Sequence, residues 1–99
     1  MENGITSTNG HAKDLKGKVC LVTGGSRGIG KAIVIALADC GADVAFTYQH
    51  SKDQAEALAK RISQRGVRCA SYQADVASGE QMESGVKQVI NQFGHITVL

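Results

Sequence analysis

The stretch Thr23-Gly24-Gly25-Ser26-Arg27-Gly28-Ile29-Gly30 has four residues without a side chain in eight. Bare backbone lets a ligand come close, and glycine reaches turn conformations that other residues resist. The β-branched apolar run Lys18 to Thr23 (KVCLVT) precedes the stretch, and apolar residues at helical spacing follow it. At such a strand-to-helix join each glycine has its own work. Gly24 turns the chain off the strand, Gly28 lets the backbone approach phosphates, and Gly30 lets the helix pack tightly on the sheet. The free amides of the first helical turn, at the positive end of the helix dipole, then face an anion. The chemistry indicated is the holding of a pyrophosphate. A turn that merely tolerates glycine is the alternative. Strand, motif, helix and second strand occurring in register argue against it.

The elements that must position this turn follow from periodicity. Ile29, Ala32, Ile33, Ala36, Leu37 and Cys40 predict a helix stopped by Gly41, with Val34 and Ile35 widening its apolar face so that it should be well covered. Asp43 to Tyr48 (DVAFTY) predicts a second strand. Ser51 with Gln54 fits a capping box opening a second helix, whose stripe is Ala55, Leu58, Ala59 and Ile62 and whose end is Gly66. Val67 to Gln73 predicts a third strand. Ser78 with Gln81 repeats the capping pattern before a stripe of Met82, Val86, Val89, Ile90 and Phe93, closed by Gly94. Ile96-Thr97-Val98-Leu99 reads as a fourth strand. The order β-α-β-α-β-α-β implies an α/β fold with a parallel sheet. Doubly wound order 3-2-1-4 puts the first two helices on one face and the third on the other, with the fourth strand at an edge.

Composition bounds the rest. The 99 residues are 42% hydrophobic and 20% charged, with net charge +2, an ordinary globular balance that gives no basic surface for nucleic acid. No apolar run approaches the roughly 20 residues of a membrane span. Residues 1–14 are polar and read as a flexible tail, with no signal peptide, so the expected compartment is the cytoplasm. Cys20, Cys40 and Cys69 are widely spaced and read as reduced thiols. His11, His50 and His95 have no ligand-like spacing, so no metal site is expected.

The spacing T-G-x-x-x-G-x-G, with Asp75-Val76 after the third strand, resembles the short-chain dehydrogenase/reductase family. The resemblance covers Leu15 to Leu99 and is similar in particular to 3-oxoacyl-carrier-protein-reductase-like and related ketone or polyol reductases. It implies a Rossmann-type doubly wound sheet over residues 15–99, a partial NAD(P)-binding domain. It also implies that Ser26, Arg27, Gly28 and Ile29 line the phosphates and ribose. Asp75 would accept from the adenine amino group, with Val76 presenting its backbone beside the ring. A turn or helix-entry role is the alternative for Asp75.

The second strand's end distinguishes the cofactors. NAD binders carry an acidic residue there for the ribose hydroxyls. Here the segment is Thr47-Tyr48-Gln49-His50-Ser51, Asp43 stands at the wrong end, and Asp53 lies inside the helix. Tyr48, His50 and Ser51 offer donors and Arg27 a fixed charge, which suits a 2′-phosphate. NADP(H) is therefore expected over NAD(H). His50 reads equally as a solvent-exposed loop histidine.

The family's chemistry needs a tyrosine and a lysine four residues on, sharing one helical face. Tyr48 and Lys52 have the spacing but straddle a strand end and a helix start, and Tyr72 has no such lysine. The family's Asn-Asn-Ala-Gly segment is also missing. The expectation is thus the N-terminal, cofactor-binding half of an oxidoreductase that reduces a ketone or oxidises an alcohol. As given, the chain would be inactive, and the full-length enzyme a homo-oligomer acting on a small molecule. A noncatalytic nucleotide-binding or interaction module is the alternative.

Overall fold

The computed structural model describes residues 15–26 and 28–97. The expected tail, Arg27, and the last two residues of the expected fourth strand lie outside them. The elements are β1 (Val19–Val22), α1 (Gly28–Asp39), β2 (Asp43–Tyr48), α2 (Lys52–Ser63), β3 (Cys69–Gln73) and α3 (Gly79–Phe93). β1 and β3 are shorter than the apolar runs that announced them, because Lys18, Thr23, Val67 and Arg68 lie beyond the paired register.

The strands are parallel, in the order β1-β2-β3, with Val19 opposite Asp43 and Val44 opposite Cys69. β2 is central and covered on both faces, which is why it reads as a continuous apolar run. Val44, Phe46 and Tyr48 pack with Val34 and Ala38 of α1 and with Ala55, Leu58 and Ile62 of α2. On the opposite face Ala45 packs with Val19 and Leu21 of β1 and with Val89 and Phe93 of α3. This is an α/β, Rossmann-type doubly wound sheet with helices on both sides. After α3 the chain reaches the free edge of β1: the Thr97 amide donates to Val19 O at 2.7 Å, and the Val19 amide donates to Thr97 Oγ1 at 3.2 Å. A fourth strand continuing 3-2-1-4 would start there.

Four local readings are corrected. The α1 stripe is rotated: Ile29 is 81% and Ile33 44% exposed, Ala32 and Ala36 are exposed, and Val34 and Ala38 are buried instead. α1 is covered on its sheet side only. On α3, Ile90 also faces outward, while Gly85, Val89 and Phe93 are buried. Ser51 makes no side-chain cap bond; at φ −96° and ψ 61° it is not in the extended conformation that aims a capping oxygen at the helix. Ser78 is extended and does cap, accepting from the Gln81 amide at 3.2 Å. The Gln81 side chain, however, accepts from the Asp75 amide at 2.8 Å, so the box is not reciprocal. No described helix is long and apolar enough to cross a membrane.

Candidate functional site

Parallel strands end at one edge of a sheet, so the segments after β1, β2 and β3 converge there. In open α/β sheets this carboxyl edge is where ligands bind. It carries the glycine turn, residues 48–51 and residues 74–76.

The turn is built by close contacts. Gly24 has φ +69° and its amide donates to Thr47 Oγ1 at 3.2 Å; the Gly25 amide donates to Thr47 O at 3.0 Å. Thr47 is 1% exposed and holds the turn with both its main chain and its side chain. A Cβ on Gly25 would lie 2.6 Å from Phe46 Cβ and 2.9 Å from Val34 Cγ2. A Cβ on Gly30 would lie 2.0 Å from Gly24 O. Gly30 therefore packs on the backbone of the turn itself, whereas sequence reasoning placed it against the sheet. Gly25 is the glycine in contact with β2. Neither Gly25 nor Thr47 was assigned a role from sequence. The available signals were a fourth glycine in the motif and a polar residue inside the apolar run DVAFTY.

Gly28 is different. Its φ is +61°, and a Cβ there would meet nothing within 4 Å. Among the described residues none beyond its chain neighbours fills the space beside it. Gly28 opens α1, whose first-turn amides have no intrahelical acceptors, and no acidic residue stands in that turn to occupy its positive end. Ser26 is half-buried, Ile29 is among the most exposed side chains, and Arg27 lies outside the described residues.

At the end of β2, Tyr48 is 7% exposed and packs in the core between sheet and α2. His50 is exposed and Ser51 half-buried; together with Lys52 and Gln54 they line a recess at the start of α2. No carboxylate from β2 stands at this end, since Asp43 is at the other, in an ion pair with Arg68 at 3.0 Å. At the end of β3, Asp75 Oδ1 accepts from the Ala77 amide at 2.9 Å and Asp75 O from the Ser78 amide at 2.9 Å. Asp75 thus fills the turn role that sequence reasoning kept as its alternative, and Oδ2 has no partner among the described residues. Val76 is 59% exposed beside it. The Gln73 side-chain amide donates to Gln49 O at 3.2 Å and ties the two strand ends together.

Residues 18–99 match the family profile described as short chain dehydrogenase. The chain belongs to the short chain dehydrogenase family. Its similarity to a Staphylococcus epidermidis 3-oxoacyl-(acyl-carrier-protein) reductase FabG is 46% identity over 82 residues, 83% of this chain and 34% of that one. Among solved structures, a short chain dehydrogenase from Burkholderia cenocepacia in complex with NADP is 45% identical, covering 85% of this chain and 35% of that one, with TM-score 0.82. A blue fluorescent protein from a metagenomic library, in complex with NADPH, is 49% identical over 83% of this chain and 34% of that one, with TM-score 0.81. The chain therefore spans about a third of the length of the curated relatives it matches, less than the half that its resemblance implied.

Among the described residues three groups have shifted ionisation, all upward and all from burial: the Cys20 and Cys69 thiols, the latter pushed up to about 12, and the Tyr72 hydroxyl. A short chain dehydrogenase's acid–base tyrosine needs the opposite shift. Tyr72 lies on β3 and donates to Gln92 Oε1. Among the described residues no group of three or more His, Cys, Asp or Glu could hold a metal ion.

Proposed function

We propose that this chain is the N-terminal, dinucleotide-binding part of an NADP(H)-dependent oxidoreductase that interconverts a ketone and an alcohol. The observation that carries the reading is the vacant, positive-φ Gly28 at the start of a helix with no acid in its first turn. Residues 15–99 are the partial Rossmann domain of that enzyme. The amides opening α1 bind the pyrophosphate, with Ser26 beside them. Asp75 accepts from the adenine amino group through Oδ2, because Oδ1 is held in its turn, and the Val76 main chain lies beside the ring. Ser51, His50 and Arg27 take the 2′-phosphate. Tyr48 is packed in the core and supports this end by position. β2 itself ends without the carboxylate that would hold the ribose hydroxyls of NAD(H), and Asp53, which lines the recess from the first turn of α2, stands beside Lys52. The NADP- and NADPH-bound relatives support the same preference.

Bound NADPH supplies hydride to the carbonyl carbon. On this reading the accompanying proton comes from a residue outside these 99; in support, Tyr48 is buried four residues from a lysine on a different element, and the Tyr72 hydroxyl is raised by burial. The 3-oxoacyl relative supports a ketone as the reducible group. The full-length enzyme acts on a small molecule and assembles as a homo-oligomer.

The test is calorimetric titration of the purified full-length protein and of Gly28→Val with NADPH and NADH. NADPH binds more tightly than NADH to the parent protein. The valine fills the open space beside the turn and is strained at φ +61°, so it lowers NADPH affinity per folded molecule by at least tenfold and lowers Tm by several degrees. Unchanged NADPH affinity in the variant, or tighter NADH binding by the parent, overturns the reading.

A further inference from the structure

Beside the glycine turn a cleft of about 410 Å³ opens between α1 and α2. Ser26, Gly28 and Lys31 form one wall; Gln54, Leu58 and Arg61 form the other. Positions 54, 58 and 61 fall on one stripe of α2. Leu58 is buried and floors the cleft, while Gln54 and Arg61 stand exposed at its rim. Gln54 also lines the recess of His50, Ser51, Lys52 and Asp53, so the cleft borders the end of β2.

The cleft has a charge imbalance. Two cations line it and no carboxylate does. Among the described residues neither Lys31 nor Arg61 is in an ion pair, although three other pairs form on the surface. Lys31 is also placed against local helix energetics. It sits in the first turn of α1, where a positive charge opposes the helix dipole. α2 and α3 carry Asp53 and Glu80 at the corresponding place, and α1 has no acid there. This arrangement is unfavourable for the empty helix and becomes favourable once an anion lies between the two cations.

Resting on the NADP(H) reading above, we propose that Lys31 and Arg61 are specificity-determining residues for the 2′-phosphate. A ribose held at the end of β2 has the glycine turn on one side and α2 on the other. Its 2′-oxygen would then open toward the cleft that Ser26 and Gln54 both line. A phosphate there lies in the field of both cations, whereas the pyrophosphate is held by hydrogen bonds from the α1 amides. NAD(H) has no charge at this place and gains nothing from them. Fields of this kind act across solvent, so each cation contributes a modest factor, weakened by salt.

The experiment uses the full-length protein and two probes that separate the phosphates. Adenosine 2′,5′-bisphosphate carries the 2′-phosphate; adenosine 5′-diphosphate carries the pyrophosphate. Dissociation constants are measured at low and high salt for the parent, Lys31→Gln, Arg61→Gln and the double variant. The parent prefers the 2′,5′-bisphosphate. Each single variant weakens that ligand about threefold and the double variant about tenfold, with smaller losses at high salt. Binding of the 5′-diphosphate changes by less than a factor of two. Lys31→Arg and Arg61→Lys, which keep the charge, bind as the parent does. Equal weakening of both probes, or of neither, overturns the inference and leaves the NADP(H) reading standing. A parent that does not distinguish the two probes overturns both.

Discussion

The four glycines of one turn do three different things, and the difference lies in what surrounds each Cβ position. Gly25 and Gly30 are excluded by the protein's own atoms, at 2.6 Å and 2.0 Å, whereas Gly28 is bordered by open space. Gly25→Ala forces Phe46 or Val34 to move within a packed core, a change that costs about 1–3 kcal/mol. Its Tm should fall by several degrees with NADPH affinity per folded molecule largely kept, unlike Gly28→Val, which lowers both; thermal melts read alongside titrations separate them. Spacing alone brought out Gly24, Gly28 and Gly30. It could not show Gly25 pressing on Phe46 or Thr47 holding the turn, because both depend on β2, more than twenty residues away. Cys69 carries a pH consequence. Folded, its thiol keeps the proton up to about pH 12; unfolded, it releases it near its ordinary value of 9.0. Between these values the unfolded state binds fewer protons, so stability declines as pH rises, and below about pH 9 the group contributes no slope. Tm measured from about pH 8 to 11 should drop more steeply for the parent than for Cys69→Ser.

Among whole elements, all three helices and three strands were legible, since each has a distinct period and a glycine or capping residue at its end. The face of α1 was not. From Ile29 to Ala38 nearly every residue is apolar, so a stripe can be drawn on any side and periodicity carries little information. Packing against β2 chose Val34 and Ala38. α2, with charges between its apolar positions, was read correctly for the opposite reason. The far edge of the sheet is tied by one residue. The Arg68 amide and Nε donate to Asp43 at 2.8 and 3.0 Å, and its guanidinium lies 4.9 Å from the Phe93 ring centroid. The contact joins β2, the segment before β3, and the end of α3. Arg68 is largely exposed, which limits its worth to about 1 kcal/mol. In the full-length protein Arg68→Met should lower Tm by ~2–4 °C. Cofactor affinity should hold, since the contact sits at the sheet edge opposite the glycine turn.

Over the whole molecule, strand order and the distribution of helices between faces followed from the right-handed crossover rule and the β-α alternation. The extent of coverage did not, because it depends on what packs outside these residues. Ile29, Ile33 and Ile90 stand exposed on two helices, and the described sheet has three strands with β1 at one side. The isolated 99-residue chain is therefore expected to associate or to melt without a sharp transition. Sedimentation and calorimetry check this, and a monomer with a single cooperative endotherm contradicts it. Thr47 has a wider effect. It lends the turn a carbonyl and a hydroxyl from the middle strand, so opening the loop breaks two hydrogen bonds to that strand. Whatever settles on the loop therefore also braces the sheet: deuterium uptake at the Gly24 and Gly25 amides slows, and the slowing spreads along β2 to neighbours that never meet the guest.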